Sequence, residues 1–363
     1  MSSRLSRRTV LQGGAVLGAV AWLAPLLAAC SNGSEKRLVF LNWQDYIDPT
    51  ILTDFTGRTG LPVTYETYAS NDELARRLRL ASVGRRRGRE GSSFDLIVPS
   101  DNLLRRLHEA DMLQTLDTSA VTNLDNLDPA FRKEPFDPGN RFSVPWATGT
   151  TGIGYDSRVF SAAPDWTVFL DQTYAGKMTI LDEMRDAFAL ALFSQGQDPN
   201  TRDPGAIDAA ADQLIAMEQA GAAFDSATYL DRLANGDLTV AHAYSTDLLQ
   251  ARERNPNLAY VVPEQGGLRW IDSLCIPDGA PDPDAANRFA NYYLEPEVSA
   301  TNAVANKVDT GNAAAREFIP QEILEDPAVF PPQDVLARLV FTEDLGEDEK
   351  LYEEAWGRVK TAS

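Results

Sequence analysis

The sequence predicts an α/β protein built on a mostly parallel sheet and large enough for two domains. A unit of short apolar strand, loop and helix recurs along the chain, the pattern that parallel sheets require. The 363 residues are 44% hydrophobic, which is enough for two cores of ordinary size. The second half then repeats the order of the first, strand before acid-headed helix.

Residues 1–29 stand outside that core. Ser6-Arg7-Arg8-Thr9-Val10-Leu11-Gln12 precedes an apolar run from Gly13 to Leu26, which ends in Leu27-Ala28-Ala29-Cys30. Paired arginines ahead of a modest apolar run form a twin-arginine export signal. The four residues ending at Cys30 have the form of a lipobox, in which the cysteine is acylated and becomes the mature N-terminus. A plain membrane anchor is the other reading. The run is short for a span, however, and it closes on small residues before a cysteine. Residues 30–36 are then a small polar tether. This places the folded part outside the cytoplasm, anchored through lipid to the outer face of the cytoplasmic membrane, in the periplasmic space if the cell is Gram-negative.

The folded part opens on Leu38-Val39-Phe40-Leu41, a buried strand running into Asn42-Trp43-Gln44-Asp45-Tyr46-Ile47. Asp48 caps the next helix, Pro49 takes its first position, Ile51, Leu52 and Phe55 share its apolar face, and Gly60 stops it. The loop therefore holds Trp43, Asp45 and Tyr46 just past the carboxyl end of a strand, where open α/β sheets bind ligands. A carboxylate beside electron-rich rings suits an organic cation. A core tryptophan beside a turn aspartate fits the same residues, and the loop alone leaves both readings open.

Pro62 to Tyr68 alternates as a strand, and Asn71 caps a helix with Asp72 and Glu73 in its first turn. Gly84-Arg85-Arg86-Arg87-Gly88-Arg89-Glu90-Gly91 reads first as an exposed loop insertion and second as a basic docking patch. Phe94 to Val98 is a strand, and Pro99-Ser100-Asp101 opens the following helix. Residues 117–145 are turn-rich, and Thr148 to Tyr155 is extended, with glycines suited to a bend or hinge. Lys177 to Leu181 is a strand leading through Asp182-Glu183-Met184-Arg185-Asp186 into an Ala/Leu helix. Those acids equally complement a helix dipole. Residues 206–219 are an amphipathic helix, Leu238 to Tyr244 a strand ending on an aromatic ring, and Leu258 to Val262 a short strand. Gly266 to Pro277, carrying Trp270 and Asp272, follows. Residues 283–318 and 320–360 are expected to be predominantly helical.

Charge narrows the partners. The chain carries 33 basic and 53 acidic residues, a net of −20, and loss of Arg4, Arg7 and Arg8 with the signal takes this to −23. That balance disfavours nucleic acid and anionic lipid and concentrates cations near the surface. With Cys30 acylated, Cys275 is the remaining cysteine, expected as a buried apolar filler with no disulfide. The two histidines, His108 and His242, make no metal-spaced cluster, and there is no H-E-x-x-H, G-x-S-x-G or Walker sequence. No cofactor and no metal are expected. A hydrolase built on paired carboxylates stays conceivable.

The rings and acids singled out all fall at strand ends or strand crossings, and Trp270-Ile271-Asp272 does not open a helix, so capping does not explain it. Phe40-Leu41-Asn42-Trp43-Gln44-Asp45-Tyr46, Tyr68-Ala69-Ser70-Asn71, Phe94 to Ser100, Leu127-Asp128-Pro129, Ile153-Gly154, Gly267 to Leu274 and Tyr352-Glu353-Glu354 resemble the bacterial spermidine/putrescine-binding proteins of ABC importers. The resemblance is collinear from about Arg37 to the C-terminus. It implies a two-lobed, Venus-flytrap fold with several interlobe crossings: lobe 1 from 37–148 plus 272–316, lobe 2 from 149–271 plus 317–363.

By position it also implies that Trp43, Gln44, Asp45, Tyr46 and Ser100 line one side of the cleft. Glu183, Asp186 and Tyr244 would face them, Trp270 would stack on the ligand's methylenes, and Asp272 would hold an ammonium. Departures are visible. Tyr244 stands where the family usually has tryptophan, Asn102 and Val308 where it has tyrosine, Thr342 where it has glutamine, and Gln44 where Thr or Ser is common. What carries over is thus a cationic ligand rather than spermidine specifically. The expected function is a non-enzymatic, monomeric lipoprotein receptor that delivers a polyamine-like cation to an ABC permease. Another organic cation (a basic amino acid, or an agmatine-like amine), a secreted amine-processing enzyme and a non-transport surface lipoprotein are the alternatives.

Overall fold

The computed structural model describes residues 36–44, 46–86, 94–134 and 136–362. The export signal, Cys30, residues 31–35, Asp45 and the basic run beyond Arg86 therefore lie outside the described residues. Among the described residues no helix is long and apolar enough to cross a membrane.

The first arm is laid down as β1 (Leu38–Trp43), α1 (Pro49–Thr59), β2 (Val63–Tyr68), α2 (Asn71–Arg86), β3 (Leu96–Ile97) and α3 (Asp101–Glu109). Strand β1 lies between β2 and β3, parallel to both. Its neighbour α1 starts and stops as its residues dictate. Asp48 accepts from the Thr50 N–H at 2.8 Å, Pro49 fills the first turn, and Gly60 ends the helix at φ 71°. The cap of α2 differs from expectation. Ser70 Oγ accepts from the Glu73 N–H while Glu73 accepts from the Ala69 N–H, so Ser70 opens the helix and Asn71 is released for another task.

The chain leaves this arm through β4 (Ser143–Asp156), which is buried along almost its whole length. The second arm follows as β5 (Met178–Ile180), α4 (Met184–Ser194), α5 (Pro204–Gln219), β6 (Ala222–Phe224), α6 (Tyr229–Asn235), β7 (Val240–Tyr244) and α7 (Ser245–Arg254). After β8 (Leu258–Val261), β9 (Gly267–Cys275) runs back antiparallel to β4. Helices α8 (Pro283–Tyr293) and α9 (Pro296–Asn306) return to the first arm. Residues 320–345 are less helical than expected, with two single-turn helices, α10 (Gln321–Leu324) and α11 (Gln333–Leu336), and the short strand β10 (Leu339–Val340). Helix α12 (Glu349–Thr361) closes the chain.

The sheet order is β2-β1-β3-β9-β4-β7-β5-β6, with β8 paired to β4 and β10 to β9. Each arm is parallel, as the repeated unit requires. The crossing strands β4 and β9 are antiparallel to their neighbours in the arms, so the sheet as a whole is mixed. Separate cores flank the two arms. One packs Phe40, Phe55, Trp146, Phe289 and Tyr293, the other Phe169, Phe188, Leu214 and Tyr352. Cys275 is buried in a satellite of the first core, as expected of an apolar filler.

The glycines of β4 serve close packing rather than a bend. A Cβ on Gly149 would lie 2.3 Å from the Trp270 ring, and one on Gly152 2.5 Å from the Val261 carbonyl. His242 faces inward. It is 2% exposed, edge-on to Trp166, and burial pushes its imidazole down to about 3, so it is neutral.

Candidate functional site

Four strand ends and one crossing strand bring the candidate residues together. At the end of β1, Trp43 packs on Tyr68 with ring centroids 4.7 Å apart, and the Tyr65 hydroxyl donates to its carbonyl at 3.1 Å. The next residue, Gln44, is exposed in the turn. Tyr46 turns inward and donates its hydroxyl to Asp272 Oδ2 at 2.8 Å. Where β3 meets α3, Ser100 precedes the helix without capping it. The Asn71 side chain donates to Ser100 Oγ at 2.6 Å, which ties the two loops of this arm together. Ser100 also bridges to Asp272 through the backbone, and the Ser273 N–H donates to the Pro99 carbonyl at 3.0 Å.

In the second arm, Glu183 precedes α4 and Asp186 lies in its first turn. Asp186 accepts from Thr151 Oγ1 at 3.3 Å, and the Tyr244 hydroxyl, at the end of β7, is near enough to favour its ionised form. The crossing strand β9 supplies Trp270 opposite Gly149 and Asp272 opposite Ala147. Only because Gly149 has no side chain can the indole lie against β4. Tyr244 meets Trp270 edge-on, with centroids 6.4 Å apart. The indole N–H groups of Trp43 and Trp270 are buried without a hydrogen-bond partner. Every described candidate except the exposed Gln44 thus converges on one region. Asp45 lies outside the described residues.

Carboxyls of this region lie well above their ordinary range. Asp272 is 8% exposed, and burial raises its carboxyl to about 7, with Asp101 adding to the shift and the Tyr46 hydrogen bond opposing it. Burial likewise raises Asp186 to about 7, reinforced by Glu183. Glu183 is open to solvent yet partly desolvated by its surroundings. It is held above the ordinary carboxylate range first for that reason and then by Asp182 and Asp72. Arg185 offsets little of this, being committed to Glu349 at 3.0 Å and to Asn200.

Asp101 escaped the sequence reading as a site residue, because an aspartate opening a helix needs no ligand to explain it. Here it is 5% exposed, and burial carries its carboxyl to about 7. Asn71, Thr151 and Asp72 were missed too, each having an ordinary local role. Carboxylates raised by burial, with Arg105 and Arg185 offsetting that only in part, favour a cationic ligand, which would restore the charge balance. Among the described residues no group of acids, cysteines or histidines is arranged to hold a metal ion. Of the family departures, Val308 is 1% exposed and packs into the first core, so that position gives the site no hydroxyl.

Residues 50–331 match the family model of bacterial extracellular solute-binding proteins. The spermidine/putrescine-binding periplasmic protein of Escherichia coli K12 is 30% identical over 98% of both chains. The putrescine-binding periplasmic protein PotF of the same organism is 33% identical, covering 94% of this chain and 98% of its own. The solved structure of the spermidine/putrescine ABC transporter substrate-binding protein PotD from Streptococcus pneumoniae superposes with a TM-score of 0.81 at 30% identity. It covers 90% of this chain and 99% of that one. The fold is accordingly the two-lobed, Venus-flytrap fold of periplasmic binding proteins, and the chain belongs to the bacterial extracellular solute-binding protein family.

Proposed function

We propose that this chain is the substrate-binding component of an ABC importer, capturing a polyamine between its two lobes and delivering it to a permease. The observation that carries the reading is that Asp272, from the crossing strand, and Asp186, from the second arm, both act on the Tyr244 hydroxyl, whose ring lies edge-on to Trp270. A flexible diamine has ammonium ends and an apolar middle, so it needs carboxylates at both ends and rings between. A dication touching acids on both lobes would favour the closed form over the open one, which is the differential affinity that closure requires. Trp43, Gln44, Asp45, Tyr46 and Ser100 would line the first lobe's side, and Glu183, Asp186 and Tyr244 the second's. The relatives, named as binding proteins, support a receptor over an enzyme.

We further infer that lobe 1 comprises 37–148 plus 272–316 and lobe 2 comprises 149–271 plus 317–363. Ala285 to Val308 pack into the core around β1, and Tyr352, Ala355 and Val359 into the core around α4, which supports these boundaries. The chain would act as a monomer outside the cytoplasm, lipidated at Cys30. A thermal-shift screen tests the binding reading, using putrescine, spermidine, spermine, agmatine and basic amino acids. A ligand at a hundred times its dissociation constant adds about 2.7 kcal/mol of stability. Stabilisation by polyamines is the expected result. Stabilisation by basic amino acids alone, or turnover of any amine, would contradict it.

A further inference from the structure

Asp101 is a buried acid that the proposed function leaves unused, and its backbone contacts satisfy only part of its carboxylate. Its Oδ1 accepts from the Asn102 N–H at 2.7 Å and the Ile271 N–H of β9 also favours the ionised carboxyl, while Oδ2 is buried without a partner at hydrogen-bond distance. Arg105, one helical turn later, lowers the carboxyl by its charge but forms no ion pair with it, and its own Nε is buried and unpartnered. Complementing the dipole of α3 asks only for a carboxylate near the first turn, and an exposed one would serve. A carboxylate 95% withdrawn from solvent, with one oxygen unused, is costly unless something arrives to pair with it.

Its position says what that is. Ser100, its neighbour, bridges to Asp272, so Asp101 sits beside the first-lobe acid. The carboxyls form a chain of electrostatic neighbours: Asp272 feels Asp101, Asp101 feels Asp186, and Asp186 feels Glu183. Asp101 is the link between the acid on the crossing strand and the acids of the second arm.

We propose that Asp101 is a specificity-determining contact, pairing with a positively charged nitrogen internal to the ligand while Asp272 and Asp186 take its ends. The inference rests on the polyamine reading above and deepens it. A ligand with an internal ammonium has a third charge for Asp101, whereas a plain diamine of equal length leaves it unpaired.

The test compares spermidine with 1,8-diaminooctane, which has the same chain length but a methylene in place of the internal nitrogen. Both are titrated calorimetrically into the wild-type protein and into Asp101→Asn, which keeps the acceptor for the Asn102 N–H. The wild type should bind spermidine more tightly. Asp101→Asn should lose at least about 30-fold of its spermidine affinity, the scale for removing one partner of a desolvated charge pair, and change little toward 1,8-diaminooctane. Asp101→Ser, also compatible with a helix start, serves as a second variant should the first not fold. Equal losses for both ligands, or none for either, would overturn the contact while leaving the polyamine reading intact. Failure of the wild type to bind any polyamine would sink that reading itself, and the contact with it.

Discussion

The two arms of the sheet use the same device with the chemistry exchanged. In each, a central strand (β1 or β5) and its neighbour (β3 or β7) end in loops that open helices at the site. In the first arm the central loop carries the rings, Trp43 and Tyr46, and the neighbouring loop carries the acid, Asp101. In the second arm the central loop carries the acids, Glu183 and Asp186, and the neighbouring strand ends on the ring, Tyr244. The crossing strand β9 brings one of each, Trp270 and Asp272. In the proposed reading neither arm alone surrounds a long cation, and the site needs both. The arms also differ in preorganisation. Asp272 is fixed by Tyr46 and by the bridge to Ser100, whereas Glu183 is free at the rim.

The sharpest way to break this comparison is to remove the fixed acid. Asp272→Asn should cost about 2–5 kcal/mol of polyamine binding, because a desolvated ammonium is left unpaired. Asp54→Asn makes the same change in net charge, yet its carboxylate lies on the outer face of α1, paired with Arg58 at 2.7 Å. Calorimetry should find binding to that variant nearly unchanged. Comparable losses in the two would mean that general acidity, not a site, attracts the cation.

The next effect concerns the ring between the arms. In Gly149→Ala the new methyl would fall 2.3 Å from the Trp270 ring, so the indole must move. Overpacking of this kind costs about 1–3 kcal/mol of stability. Displacement of the indole should also weaken polyamine binding, with altered tryptophan fluorescence. Unchanged fluorescence and affinity would show that Trp270 does not depend on Gly149.

How much of this was legible beforehand varies from place to place. Helix α1 was readable to its last residue because Asp48, Pro49 and Gly60 each act locally. The acids at 183, 186 and 272 stood out because they recur with rings at strand ends. Asp101 was not, since its burial is set by β9 and by the second arm, and nothing within its own helix encodes that. The glycines of β4 suggested a bend because sequence gives their freedom but not the partner pressed against them. Asn71 was misassigned as a cap because Ser70 and Glu73, three apart, already satisfy the helix start.

A third effect is on pH. Asp101, Asp186 and Asp272 are each raised to about 7, so the folded protein holds protons that the unfolded chain releases near pH 4. The sign follows directly: folding stability contributed by these groups falls as pH rises from about 4 to about 7. The ligand-free protein should melt higher at pH 5 than at pH 7.5. Polyamine affinity should run the other way, rising across the same window as the carboxylates ionise. Thermal melts with and without spermidine at both values check this. A ligand-free protein more stable at pH 7.5 would contradict the burial of the acids.

The smallest effect tests the first arm's scaffold. Ser70→Ala removes the acceptor that opens α2, at a cost of about 1 kcal/mol in chemical denaturation. Binding should be spared as long as Asn71 keeps its bond to Ser100. A stability unchanged from wild type would return the capping role to Asn71.

The central claim is that one cation is held by acids from both arms at once. A double-mutant cycle at Asp272 and Asp186, read by calorimetric titration with spermidine, addresses it directly. The account predicts one-to-one binding in the wild type and a loss of about 2–5 kcal/mol in Asp272→Asn and again in Asp186→Asn. The double variant should be weaker than either. Spermidine binding that survives Asp186→Asn at full strength would confine the ligand to the first arm and contradict the account.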